Sequence, residues 1–155
     1  FPSTSGSSGK VMVVEQNFTH SYQLSSQNWL MLAVLLDMTV SGTLPSNLNR
    51  LVKQVYDELN ELDNELAQAI ELIRERMRLF PDNIISIQIF AILNNYLLFA
   101  DNTRRRMQAT VQYITMEDEL SYEDIQEAGE DFSEQLGRVL EAKIVVNGIR
   151  IRLEN

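Results

Sequence analysis

The chain contains no cysteine and a single histidine among 155 residues. Without cysteine it has no disulfide framework, no thiolate nucleophile and no thiolate metal site. The lone His20 sits in a polar stretch at residues 15–23, where a single histidine reads as an ordinary surface group and not as a general base. Glycine occurs six times, and nowhere as a phosphate loop or dinucleotide fingerprint. Gly-x-Ser-x-Gly and His-Glu-x-x-His are also missing. No catalytic, cofactor-binding or metal-ligating residue is therefore assigned, and the chain leans away from an enzyme. Basic residues are scarce too: 13 Lys and Arg against 22 Asp and Glu give a net charge of -9. That balance disfavours nucleic acid or an anionic membrane as the partner of the whole surface.

What is present is enough apolar residue, 45% of the chain, to bury a core as one domain. Residues 1–9, Phe-Pro-Ser-Thr-Ser-Gly-Ser-Ser-Gly, have the composition of a flexible linker, which leaves residues 10–155 as a single helical domain with a terminal β element. The apolar run at residues 29–36 is internal, short and not preceded by a basic flank, unlike a signal peptide, and cytoplasm is the default location. Residues 84–100 hold 13 apolar residues out of 17. Membrane insertion calls for about 20, and Ser86, Gln88, Asn94 and Asn95 interrupt this run, so it is read as a buried central helix and not as a transmembrane segment.

The strongest pattern is a seam of Leu48, Val52, Val55, Leu59, Leu62, Leu66, Ala69 and Ile73, spaced alternately four and three apart. Such spacing calls for a long helix packed on another helix. Pro45 and Ser46 announce it, with Ser46 as N-cap, and Pro81 stops it after Leu79. A helix of that length spans roughly 50 Å. The next helix runs from Asn83 to near Ile114, and so short a connection makes the two antiparallel. Ser121 caps a further helix to about Ala142, weakened by Gly129 and Gly137. Ahead of the pair, Ser25 or Ser26 opens a largely apolar helix that Gly42 ends, and residues 11–14 suit a strand.

The C-terminal stretch carries a hairpin signal. Ile144, Val145 and Val146 precede Asn147-Gly148, and Ile149, Arg150, Ile151, Arg152 and Leu153 follow. Asn-Gly supplies the positive φ angles of a type I′ turn. The predicted fold is thus mainly α: an antiparallel long-helix hairpin within a four-helix arrangement, plus a small C-terminal β-hairpin joined by the N-terminal strand.

Charged surfaces follow from this layout. Arg104, Arg105 and Arg106 fall beside Asp57, Glu58, Glu61, Asp63 and Glu65 in an antiparallel pair, which points to charge matching within the chain. Arg74, Arg76 and Arg78 face the apolar start of the next helix and form a basic patch at one end, complementing the helix dipole or meeting an acidic partner, phosphate or membrane surface. Nine acids between Glu117 and Glu134, with no lysine or arginine, put Glu123, Glu127, Glu130 and Glu134 on one helical face. They read as a solvated face partly neutralised by Lys143, Arg150 and Arg152.

A seam builds assemblies and carries no chemistry of its own. The leading functional expectation is a non-enzymatic protein–protein interaction or regulatory domain acting through helical oligomerisation, as a homodimer or higher homo-oligomer, with the Leu48, Val52, Val55, Leu59, Leu62, Leu66 and Ile73 seam as interface. A small-molecule-binding or enzymatic helical domain with buried carboxylates such as Glu58, Glu65 or Glu123 is the alternative. Nucleic-acid binding through the Arg74, Arg76 and Arg78 patch is a third.

Overall fold

A computed structural model of the chain describes residues 44–155, which form three helices: α1 (Ser46–Leu79), α2 (Ile84–Met116) and α3 (Tyr122–Glu154). The expected strand at residues 11–14, the first helix before Gly42, the linker and His20 lie outside the described residues. Within them there is no strand.

Each helix starts and stops for a local reason. Pro45 occupies the N-cap of α1, with Ser46 inside the helix, so the expected Ser46 cap shifts by one residue and contributes no side-chain bond. Pro81 lacks the backbone N–H needed to extend α1, and Phe80 ends it by donating its backbone N–H to the Arg76 carbonyl at 2.8 Å. Asn83 then opens α2 by accepting from the Ser86 N–H at 3.1 Å. Ser121 caps α3 reciprocally: its hydroxyl accepts from Asp124 N–H at 3.1 Å, and the Asp124 carboxylate accepts from Ser121 N–H at 3.3 Å.

The helices alternate in direction, up, down and up. Contacts from Glu58 to Lys143, Glu65 to Arg150 and Arg76 to the Leu153 carbonyl advance together along α1 and α3, so these two run parallel. Contacts from Asp63 to Arg104 and from Arg106 to Asp131 set α2 antiparallel to both. The α1 seam lies at the centre: Val55, Leu59, Leu62, Leu66, Ala69 and Ile73 are fully buried, and Leu48 and Val52 nearly so. Facing it are Leu93, Leu97, Ala100, Met107, Val111 and Ile114 of α2 and Ala128, Phe132, Val139, Ala142, Val146 and Leu153 of α3. Packing is most extensive between α1 and α3, less between α1 and α2, and least between α2 and α3.

The four-helix arrangement with a C-terminal β-hairpin is therefore corrected to three helices among the described residues. Residues 144–153 continue α3 for some three turns instead of folding back. The reason is tertiary. Val139, Ala142, Val146 and Leu153 recur at helical spacing and bury against the α1 seam. Fully burying a valine or leucine contributes about 1.5–3 kcal/mol, against about 1 kcal/mol for a glycine in a helix interior. Two such anchors outweigh the turn preference of Asn147-Gly148.

Candidate interaction surface

The seam expected to join copies of the chain is the core of the three-helix unit. Leu62 at its centre is fully buried against the other helices, so the seven seam residues, Leu48 to Ile73, hold the fold together. Apolar surface is open elsewhere, chiefly on α2.

Helix α2 carries two apolar seams side by side. The inner one, Ser86, Leu93, Leu97, Ala100, Arg104, Met107, Val111 and Ile114, is buried. The outer one, Ile85, Ile89, Ile92, Tyr96 and Phe99, has the same alternation of four and three, yet Ile85 is 65% and Ile92 42% exposed, and the other three are half-buried. Ile84, Ile87 and Leu98 are exposed beside it. The expected buried central helix at residues 84–100 is thus corrected: two neighbouring helices cover only part of its circumference, while its apolar residues run nearly all the way round. A helix of that kind calls for further cover.

By length and composition α2 is apolar enough to cross a membrane. The helices packed on it argue against that for this bundle, since α1 brings Glu71 and Arg74, and α3 brings Arg138, Glu141 and Lys143, to the level of its uncharged run. Each charge placed mid-bilayer costs about 2.5–3.5 kcal/mol on insertion scales.

The loose α2–α3 contact leaves a groove beside the outer seam. One depression is lined by Tyr96 and Phe99 of α2 with Ala142, Ile144 and Val145 of α3, flanked by Arg138 and Glu141. Tyr96 and Phe99 meet edge to face at 6.4 Å between ring centroids. The groove continues into a more polar section lined by Asn95, Leu98, Asn102, Thr103, Arg106 and Gln135. Gln135 is only 2% exposed, and its Nε2 amide has no hydrogen-bond partner. A buried donor left in that condition costs about 1–3 kcal/mol. An arriving acceptor removes that cost.

Electrostatics separate the two ends of the unit. At the α1–α2 turn, Leu79, Phe80, Ile84 and Ile85 are exposed, and the exposed Arg76, Arg78 and Arg152 share this end with Glu75, Asp82 and Glu154. Arg78 pairs with Glu75 at 2.7 Å, which raises the guanidinium pKa and lowers that of the carboxyl through their hydrogen bond. Arg76 donates to the Leu153 carbonyl, in the last turn of α3, at 3.3 Å. At the opposite end Glu123, Glu127, Glu130 and Glu134 are all exposed, as the sequence predicts for a solvated stripe. Lys143 and Arg150 do not neutralise that stripe. Lys143 reaches Glu58 at 2.5 Å and also Glu61, and Arg150 reaches Glu65 at 2.5 Å and Glu154 at 2.6 Å. The Lys143 pKa is pulled down by burial and raised on balance by its two carboxylate partners.

The arginine run divides three ways. Arg104 forms a buried ion pair with Asp63, Arg105 pairs with Asp101 at 2.9 Å within α2, and Arg106 crosses to Asp131 at 2.6 Å. Only Arg104 meets the acids of α1; Glu58, Glu61 and Glu65 are taken by α3, whose continuation past Ala142 supplies cations the hairpin reading placed elsewhere. Glu58 and Glu65 sit at the α1–α3 boundary in these pairs, and Glu123 is exposed. Among the described residues no group of three or more metal-ligating side chains is close enough to hold a metal ion. Comparison of the chain with protein-family models, curated proteins and solved structures finds no match.

Proposed function

We propose that this chain is a non-enzymatic interaction domain that acts through helical association, with the outer seam of α2 and the adjoining α2–α3 groove as the docking surface. One observation carries the reading: Ile85, Ile89, Ile92, Tyr96 and Phe99 repeat the spacing of a packed helical seam while two of the five are exposed and three half-buried. A three-helix unit with its α2–α3 side open has the form of a four-helix bundle awaiting one more helix. The α1 seam is spent on the interior, which leaves α2 to present a second face.

The test compares two variants by sedimentation and circular dichroism. Ile92→Glu removes apolar surface without touching the core, so it abolishes association while helix content and melting temperature stay near wild type. Leu62→Ala thins the core and lowers stability, with association intact in the folded fraction. Association unchanged in Ile92→Glu overturns the reading.

A further inference from the structure

We infer that the polar section of the α2–α3 groove is a carboxylate-binding site, and that the helix received there carries an aspartate or glutamate one or two turns beyond its apolar stripe. The inference rests on the association reading above and adds to it the chemistry of the partner.

The only charged side chains lining this section are arginines. Asn95, Asn102 and Arg106 of α2 face Gln135 and Arg138 of α3, and no aspartate or glutamate is among the lining residues. Arg106 gives Nε and Nη2 to Asp131, at 3.0 and 2.6 Å, and Arg138 gives Nη2 to Glu134 at 2.9 Å. The Nη1 groups of both arginines are left for a further acceptor, while the two acids lie outside the lining. Asn95 and Asn102 are exposed and add amide donors. The Thr103 hydroxyl is already committed to the Phe99 carbonyl at 2.8 Å.

Gln135 is the residue that points to a ligand. It is part of the lining although only 2% exposed, and its Nε2 has no acceptor. The last torsion of a glutamine is broad, so a modest rotation of the amide brings that nitrogen to the groove. An anion seated there supplies the missing acceptor. It also takes hydrogen bonds from the guanidiniums, and bonds to an ionised group are roughly twice as strong as those between neutral groups. A cation or an apolar side chain in the same place leaves the Gln135 donor unpaired.

The polar section and the apolar depression share Phe99 and Arg138, so one ligand spans both. Tyr96, Phe99, Ile144 and Val145 receive an aliphatic residue, and Glu141 beside them repels a carboxylate, which fixes the acidic end of the ligand in the polar section. From Phe99 to Asn102 and Arg106 is one to two helical turns, roughly 5–10 Å at 1.5 Å per residue. A helix lying along the groove matches that spacing with a carboxylate about four to seven residues from its aliphatic residue. A small free carboxylate fills only the polar section and leaves the outer seam of α2 uncovered.

Two synthetic helical peptides with the same leucine stripe, differing only in Glu or Gln one turn beyond a central leucine, test this by fluorescence anisotropy. The Glu peptide is expected to bind about tenfold more tightly, the size of a hydrogen bond to a charged group. Most of that preference is lost in Gln135→Met, which keeps the volume and removes the amide. It is also lost when Arg106→Gln is combined with Asp131→Asn, which removes the guanidinium at constant net charge. Circular dichroism checks that each variant folds. In nitrogen-15 correlation spectra the side-chain amides of Gln135 and Asn102 shift with the Glu peptide and stay in place with the Gln peptide. Equal affinity for the two peptides overturns the carboxylate site and leaves helical association standing, as does a Glu preference that survives in both variants. Failure of both peptides to bind the unmodified chain overturns the inference and the association reading together.

Discussion

Removing one partner of the Asp63–Arg104 pair exposes how much of the fold depends on charge held inside it. Asp63 is 4% and Arg104 3% exposed, and each projects from the middle of its helix into the α1–α2 contact. Asp63→Ala removes the carboxylate that the Arg104 guanidinium meets in this buried pair. Stranding a buried charge in this way costs about 3–5 kcal/mol, much of a small domain's stability. Replacing both partners by Leu at 63 and Met at 104 removes the charge along with its partner, so the double variant is expected within about 1 kcal/mol of wild type or more stable. Urea unfolding read by circular dichroism distinguishes the cases: Asp63→Ala shifts the midpoint strongly downward with little change in slope, and the double variant restores it. A loss below about 1 kcal/mol in Asp63→Ala refutes the reasoning, because the pair then behaves as a solvated surface bridge.

Three other outcomes follow from the same geometry. Burial pushes the Tyr56 hydroxyl up to about 12, with Arg104 pulling the other way; the native state therefore keeps its proton where the unfolded chain loses it. Stability falls between about pH 10 and 12, by up to about 2–3 kcal/mol, and Tyr56→Phe removes that part of the alkaline slope in unfolding titrations. Ser121→Ala loses the capping box of α3 and costs about 1 kcal/mol by urea unfolding. A Cβ added at Gly137 or Gly148 meets nothing within 4 Å, so alanine at either site raises the melting temperature through about 1 kcal/mol of helix propensity; a drop at Gly148 marks a backbone held in a turn.

How much of this was written in the sequence depends on the element. The α1 seam was legible because one unbroken repeat with prolines at both ends permits a single interpretation, and its span matches the helix. Its role was not, since spacing identifies a packed face without saying whether the partner lies in the same chain. Ser121 was legible as a cap because the signal and its effect are local. The C-terminal half of α3 was misread for the converse reason: Asn147-Gly148 is a strong local preference, and the burial of Val146 and Leu153 that overrides it arises only once α1 is alongside. The outer seam of α2 was hidden by the inner one. With both faces apolar the segment reads as buried all round, and only the position of α3, packed mainly on α1, reveals which face is left open.

The arginines show the same limit. Antiparallel pairing of α1 and α2 correctly places Arg104 beside Asp63, a partner within the range expected from the turn at Pro81. Arg106 pairs instead with α3, and the carboxylates expected to receive it, Glu58, Glu61 and Glu65, belong to Lys143 and Arg150. One wrong element at the C-terminus thus displaces cations along the whole α1 face. Glu130 is exposed, and Glu134 pairs with Arg138 of its own helix at 2.9 Å.

The measurement that bears most directly on the account is the solution mass of the unmodified chain, by light scattering coupled to size exclusion across a concentration series. Association through the outer α2 seam predicts an assembly at high concentration that dissociates to the monomer on dilution. A monomer mass at every concentration and salt contradicts it.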